Sequence, residues 1–234
     1  MTRPIALVTG GSRGIGRAIV ADLARDHHVI VGGRDTAAVA EVVEQLPSAE
    51  PFVCELADPE AVQAAVATLP ALDVLVHSAG IDEGESVADT PRSTWRRIFE
   101  VNVVAVADLT RLLLPGLRTC LERTGRQGNI VMLNSGAGFT AGPGDGPYAA
   151  SKFALRALTD ALREEERGVV RVTSLHPGRT DSDMQRQRQA AAGRPYSAAE
   201  HMEPASVAAT LRLALDLPDS AMLESLAIRP VFKA

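Results

Sequence analysis

Ile5-Ala6-Leu7-Val8-Thr9-Gly10-Gly11-Ser12-Arg13-Gly14-Ile15-Gly16 decides the fold. Four apolar residues without polar alternation suit a strand buried on both faces. A glycine-rich turn follows, and a helical pattern begins at Gly14 without a spacer. Glycines permit positive φ and let the backbone approach a ligand closely. The helix that follows points its free N-terminal amides, and the positive end of its dipole, back at the turn. A strand, a glycine turn and a helix in that order make a cradle for an anionic pyrophosphate.

Outward from this unit the same alternation continues to the end of the chain. Short apolar runs at Val29–Val31, Pro51–Cys54, Val74–Val76, Ile130–Leu133, Val170–Leu175 and Leu226–Ile228 read as strands. Helical patterns fall between them, at about Gly14–Arg25, Thr36–Leu46, Pro59–Leu69, Thr94–Leu121, Tyr148–Glu166 and Pro204–Leu217. This predicts one α/β domain spanning residues 1–234, a doubly wound parallel sheet of about seven strands with helices on both faces. The segment Arg179–His201, rich in Arg, Gln and Ala, is weakly periodic and reads as a mobile lid beside the C-terminal edge of the sheet.

Composition narrows the function classes. The 234 residues are 46% apolar and 23% charged, with a formal net charge of -5. That suits a sizeable core and argues against nucleic acid as a partner. Cys54 and Cys120 form no CxxC or Cys/His cluster, so neither a metal nor a disulfide framework is expected. With no signal-peptide pattern and no membrane-spanning run, the expected setting is the cytoplasm.

The glycine spacing is Gly-x3-Gly-x-Gly, not the Gly-x-Gly-x-x-Gly of other dinucleotide folds. Thr-Gly-x3-Gly-x-Gly resembles the short-chain dehydrogenase/reductase family, and the resemblance implies a nicotinamide dinucleotide held by Gly10, Ser12, Arg13, Gly14, Ile15 and Gly16. Beside the adenosine ribose, an acidic residue favours NAD and an arginine pairs with the 2′-phosphate of NADP. Arg34 is the first charge after the second strand, and Arg13 adds a second cation, so NADP is expected over NAD. Asp35 is the competing signal, unless it caps the next helix. By the same resemblance Glu55 and Leu56 lie near the adenine. Ser78-Ala79-Gly80 matches the family's Asn-Ala-Gly turn, with serine in place of asparagine. Pro177 and Gly178, with Thr180 and Ser182, match the segment that contacts the nicotinamide carboxamide.

Tyr148-Ala149-Ala150-Ser151-Lys152 carries the chemistry. Residues four apart share one helix face. A phenol has a pKa of ~10, and a nearby ammonium favours its phenolate, moving it toward the range acid–base catalysis requires. Arginine occurs 22 times and lysine only at Lys152 and Lys233, so an internal lysine stands out. Ser135 lies 13 residues before Tyr148, at the end of the fifth predicted strand. In the family the matching serine binds the substrate carbonyl, the tyrosine transfers the proton and the lysine also holds the nicotinamide ribose. An asparagine matching Asn102 helps hold a relay water.

The expectation is therefore an NADP(H)-dependent oxidoreductase acting on a small-molecule ketone, aldehyde or alcohol. The resemblance also implies a homotetramer or homodimer built through the two long helices. A cofactor-binding sensor and a same-fold epimerase or dehydratase are the rivals. Phe139, Ala141, Pro143, Met184 and Tyr196 are candidate walls for a mostly apolar substrate. His27 and His28 read as a solvated turn, His176 as packing, Asp73 as structural and Trp95 as helix packing. Arg179, Arg186, Arg188 and Arg194 read as a solvated face.

Overall fold

The computed structural model describes residues 3–83 and 85–231, so Lys233 lies outside the described residues. Seven parallel strands form one sheet: β1 (Ile5–Thr9), β2 (His28–Gly33), β3 (Ala49–Val53), β4 (Val74–His77), β5 (Gly128–Leu133), β6 (Val170–Pro177) and β7 (Ser225–Ile228). Their order across the sheet is β3-β2-β1-β4-β5-β6-β7, so the winding reverses between β1 and β4. The crevice outside the carboxyl ends of the strands at such a reversal is where ligands bind.

The strands sort their side chains alternately into two cores, as a period of two requires. Ala6 and Val8 of β1, with Val29 and Val31 of β2, pack beneath α1 (Gly14–Leu23), α2 (Thr36–Glu44) and α9 (Pro204–Leu215), where Ile19, Val39 and Leu211 close the layer. Leu7 and Ile30 face the other way. They join Leu75, Ile130, Leu109, Leu117 and Leu155 under α3 (Pro59–Val66), α5 (Ala105–Arg118) and α7 (Gly146–Glu165). Both cores sit where the apolar runs place them.

Three expectations need correction. The long helix read at Thr94–Leu121 is four pieces: α4 (Arg92–Phe99), a π-helical segment (Glu100–Val104), α5 and the short α6 (Cys120–Thr124). A π-bulge inserts one residue into the turn, a feature common at functional sites, and it turns Asn102 inward. The segment 179–201 is not irregular throughout, because Ser182 caps a helix, α8 (Asp183–Ala191), by accepting from Gln185 N. His27 is buried and pairs through Nδ1 with Asp26 at 2.7 Å, while His28 begins β2 and meets Ser48. These two histidines are therefore packed at the entry to a strand rather than solvated.

Asp73 is structural, as read: its carboxylate accepts from Ile5 N at 2.7 Å and from Arg123 at 3.1 Å. Trp95 stacks on Phe99, one helical turn on. Among the described residues no helix is long and apolar enough to cross a membrane.

Candidate active site

The carboxyl ends of the strands open onto one cavity of about 1320 Å³. All the residues assigned above to the dinucleotide line it, from Gly10 to Gly16, through Arg34, Glu55-Leu56 and Ser78–Gly80, to Pro177, Gly178, Thr180 and Ser182. The glycine turn is shaped for close approach. Gly14 has φ +53°, and a Cβ on Gly16 would fall 2.1 Å from the Gly10 carbonyl oxygen, so no side chain fits there. Thr9 clips this turn to the next, its Oγ1 accepting from Ser78 N and Ala79 N at 3.1 Å each. Thr9 was part of the sequence motif, yet only the β1–β4 pairing gives its hydroxyl this role.

At the end where the sequence places the adenosine, Asp35 acts as a helix cap. The Asp35 carboxylate accepts from Ala37 N and Ala38 N at 3.0 and 3.1 Å, capping α2. An N-cap acceptor in this position is already engaged. Arg34 lies 3.8 Å from Glu55, an exposed pair. Two cations, Arg13 and Arg34, thus line the rim.

At the other end Ser135, Tyr148 and Lys152 share the cavity wall. Ser135 is extended and follows β5, and its Oγ accepts from Ala137 N at 3.1 Å. Pro147 opens α7, a preorganised helix start, and places Tyr148 in the first turn. Lys152 follows one turn on, with Nζ 5.7 Å from the Tyr148 ring centroid. Both side chains are buried, Tyr148 to 8% and Lys152 to 4% exposure.

The electrostatics differ from the sequence expectation. Burial pushes the Tyr148 phenol up to about 12; hydrogen bonding with Ser135 pulls the other way, and the Asp82 carboxylate adds to the rise. Burial also pulls Lys152 down to about 8, opposed by Asp82. Lys152 does not lower Tyr148 in this arrangement. Its Nζ donates instead to the Leu133 carbonyl at 3.0 Å. Desolvation therefore outweighs the pairing that the Tyr-x3-Lys spacing suggests.

Asn102 is fully buried and lies behind the cavity wall rather than in it. Its Oδ1 accepts from Ile81 N at 2.9 Å, and its Nδ2 donates to Ile81 O at 2.9 Å and Ser151 Oγ at 3.0 Å. Both amide protons are used, so the side chain splints the turn after β4 to α7.

His176 joins the site from below. A carbonyl only accepts, so Nδ1–H donates to Ser135 O at 3.0 Å, and Nε2 faces Ser174 Oγ at 2.8 Å. The sequence reading of His176 as packing missed this bond, which crosses from β6 to the end of β5.

The candidate substrate walls divide. Ala141, Pro143 and Met184 line the cavity. Phe139 instead lies on His176, with ring centroids 4.2 Å apart, and Tyr196 donates to Asp181 and stacks on His201 at 4.6 Å. In their place stand charged groups, Asp82, Glu83, Arg97, Glu100, Asp145 and Arg188. The expected apolar wall is thus interspersed with charge. Arg188 is not on a solvated face: it reaches Asp82 at 3.1 Å and also pairs with Asp145. No local pattern announces such a contact.

A family model described as short chain dehydrogenase matches residues 4–193. The chain belongs to the short-chain dehydrogenase/reductase family. That places it among oxidoreductases. A short-chain type dehydrogenase/reductase from Sinorhizobium fredii is 34% identical across 97% of this chain and 91% of its own length. Among solved structures, Pseudomonas aeruginosa RhlG in an active-site complex with NADP superposes with a TM-score of 0.88 at 27% identity, over 99% of this chain and 97% of that one. The alcohol dehydrogenase of Thermococcus sibiricus, complexed with 5-hydroxy-NADP, gives 0.87 at 25% identity, over 99% and 98%. This short-chain dehydrogenase/reductase therefore shares its whole sheet with NADP-bound relatives.

Proposed function

We propose that the protein is an NADP(H)-dependent reductase of ketones or aldehydes, with the same groups serving alcohol oxidation in reverse. The observation that carries this reading is the convergence of Ser135, Tyr148 and Lys152 on the same cavity as the glycine cradle and the two rim arginines. The cradle fits a dinucleotide because Gly16 leaves room that any Cβ would fill. Arg13 and Arg34 would pair with a 2′-phosphate, Asp35 being engaged at its cap. Ser78–Gly80, Pro177, Gly178, Thr180 and Ser182 would hold the nicotinamide half.

When bound, NADPH supplies the hydride. The protein supplies position and a proton. Ser135 Oγ hydrogen-bonds the substrate carbonyl oxygen and fixes it beside Tyr148. Tyr148 gives its phenolic proton to that oxygen, or takes it back in the oxidising direction. A phenol held up at about 12 stays protonated at neutral pH, as a proton donor requires. Lys152 would hold the ribose hydroxyls of the bound cofactor, and Asn102 holds the turn after β4 in register with α7.

The test is NADPH consumption by the purified protein against a panel of ketones, aldehydes and quinones, with NADH in parallel. Turnover with NADPH on any member supports the reading. A clear preference for NADH overturns the roles of Arg13 and Arg34. No turnover in either direction, alcohols included, favours the non-catalytic cofactor-binding sensor.

A further inference from the structure

Three segments far apart in sequence meet over Tyr148. Arg188 of α8 donates from Nη1 to Asp82 Oδ2 at 3.1 Å and pairs through Nη2 with Asp145. Its guanidinium carbon stands 5.9 Å from the centroid of the Tyr148 ring. Asp82 lies in the loop after β4 with its side chain 17% exposed, so its charge is poorly screened. Burial raises its carboxyl, while Arg188 and Lys152 pull it back down.

The other charges around Tyr148 are accounted for element by element. On its own helix stand Lys152 and, just before the helix, Asp145, which shares Arg188. Just after β5 stand the neutral Asn134 and Ser135. Beyond Asp82, the loop after β4 contributes Glu83, which is paired with Arg97 of α4 at 3.2 Å. Glu100 of the π segment, Arg179 after β6, Asp183 of α8 and Arg194 beyond α8 line the cavity as well. Among the described residues Asp82 is the carboxylate that acts directly on the phenol, and Arg188 is the cation that touches Asp82.

We propose that Asp82 and Arg188 are positioning residues that set the proton affinity of Tyr148, with α8 supplying the cation that offsets Asp82 when it docks. The proposal rests on the reading of Tyr148 as the acid. At a given burial, Asp82 is offset by Lys152 and, with α8 docked, also by Arg188, so losing the Arg188 charge leaves Tyr148 holding its proton more tightly. With α8 down, Arg188 cancels part of that field and the proton is easier to give. Docking of α8 thus supplies a charge that works against the burial that raises the phenol.

The chain has two tyrosines, so Tyr196→Phe leaves Tyr148 as the only one. In that background [ζ-13C]tyrosine reports the phenolate by NMR between pH 7 and 11, with no substrate needed. In the upper part of this range Lys152, pulled down to about 8, has lost its charge, so the contrast isolates Asp82 and Arg188. Asp82→Asn should raise the tyrosinate fraction at pH 10.5 by about three- to tenfold, Arg188→Gln should lower it by a similar factor, and the double variant should return to within about twofold of the parent. Circular dichroism checks that each is folded, with Asp82→Ser and Arg188→Met as replacements for one that is not. No change in Asp82→Asn overturns the proposal. So does a shift of both single variants in the same direction, which is what simple loosening of the site would produce. Turnover retained by Tyr148→Phe would remove the catalytic reading yet leave this ordering intact, so the two failures are distinguishable.

Discussion

The two walls of the cavity are held by different forces. The wall carrying Ser135, Tyr148 and Lys152 is anchored to strands whose side chains fill two apolar cores, and its polar groups are tied to backbone. The wall formed by α8 has no buried residue along Asp183–Ala191. It is rooted by backbone bonds between Asp181 N and Met202 O and between Met202 N and Arg179 O, and pinned across the cleft by Arg188. Burial of apolar area is insensitive to salt and hard to undo locally. Ion pairs at a partly exposed surface are weak and screened. The first wall can hold reacting groups in fixed geometry, whereas the second can open for substrate, as low local stability permits.

Breaking the fixed wall should have the larger effects. Tyr148→Phe keeps the ring and its packing but removes the proton, so turnover with NADPH should fall by about 10³ while cofactor binding by fluorescence is unchanged. A loss below tenfold would move the acid elsewhere. Asn102→Leu should lower stability by about 2 kcal/mol in urea unfolding, because it removes the partner of the part-buried Ile81 N–H and carbonyl and of the buried Ser151 hydroxyl. Gln187→Ala at an exposed position of α8 should cost less than about 0.5 kcal/mol, as a surface substitution does. Equal costs would erase the difference between the walls.

The smaller effects sharpen it. Arg34→Ala should weaken NADPH binding by about tenfold and leave NADH within about twofold, since a charged hydrogen bond to the 2′-phosphate is worth roughly 1.5 kcal/mol or more. An equal loss for both cofactors would make Arg34 a structural residue. Raising salt from about 0.05 M to about 1 M shortens the reach of charge to roughly 3 Å. Trypsin cleavage after Arg186 or Arg188 should then speed up a few-fold, with no earlier cleavage in the strands. Unchanged cleavage would mean that contacts other than Arg188's ion pairs hold α8.

The sequence by itself determined the sheet and the family, and it named the candidate cofactor edge and the candidate reacting groups. It could do so because strand periodicity, glycine turns and a tyrosine one helical turn from a lysine are local patterns, written within a few residues. Asp35 and Asp58 were legible as caps for the same reason, each accepting from the amides two and three residues on. What only the tertiary structure decided depends on segments brought together from afar. The π segment that buries Asn102, the bond from His176 to the backbone of Ser135 and the meeting of Asp82, Asp145 and Arg188 have no local signature. The proton affinity of Tyr148 belongs with these. The spacing to Lys152 suggests a lowered phenol, but burial raises it, and burial is set by how the whole sheet and its helices close around the site.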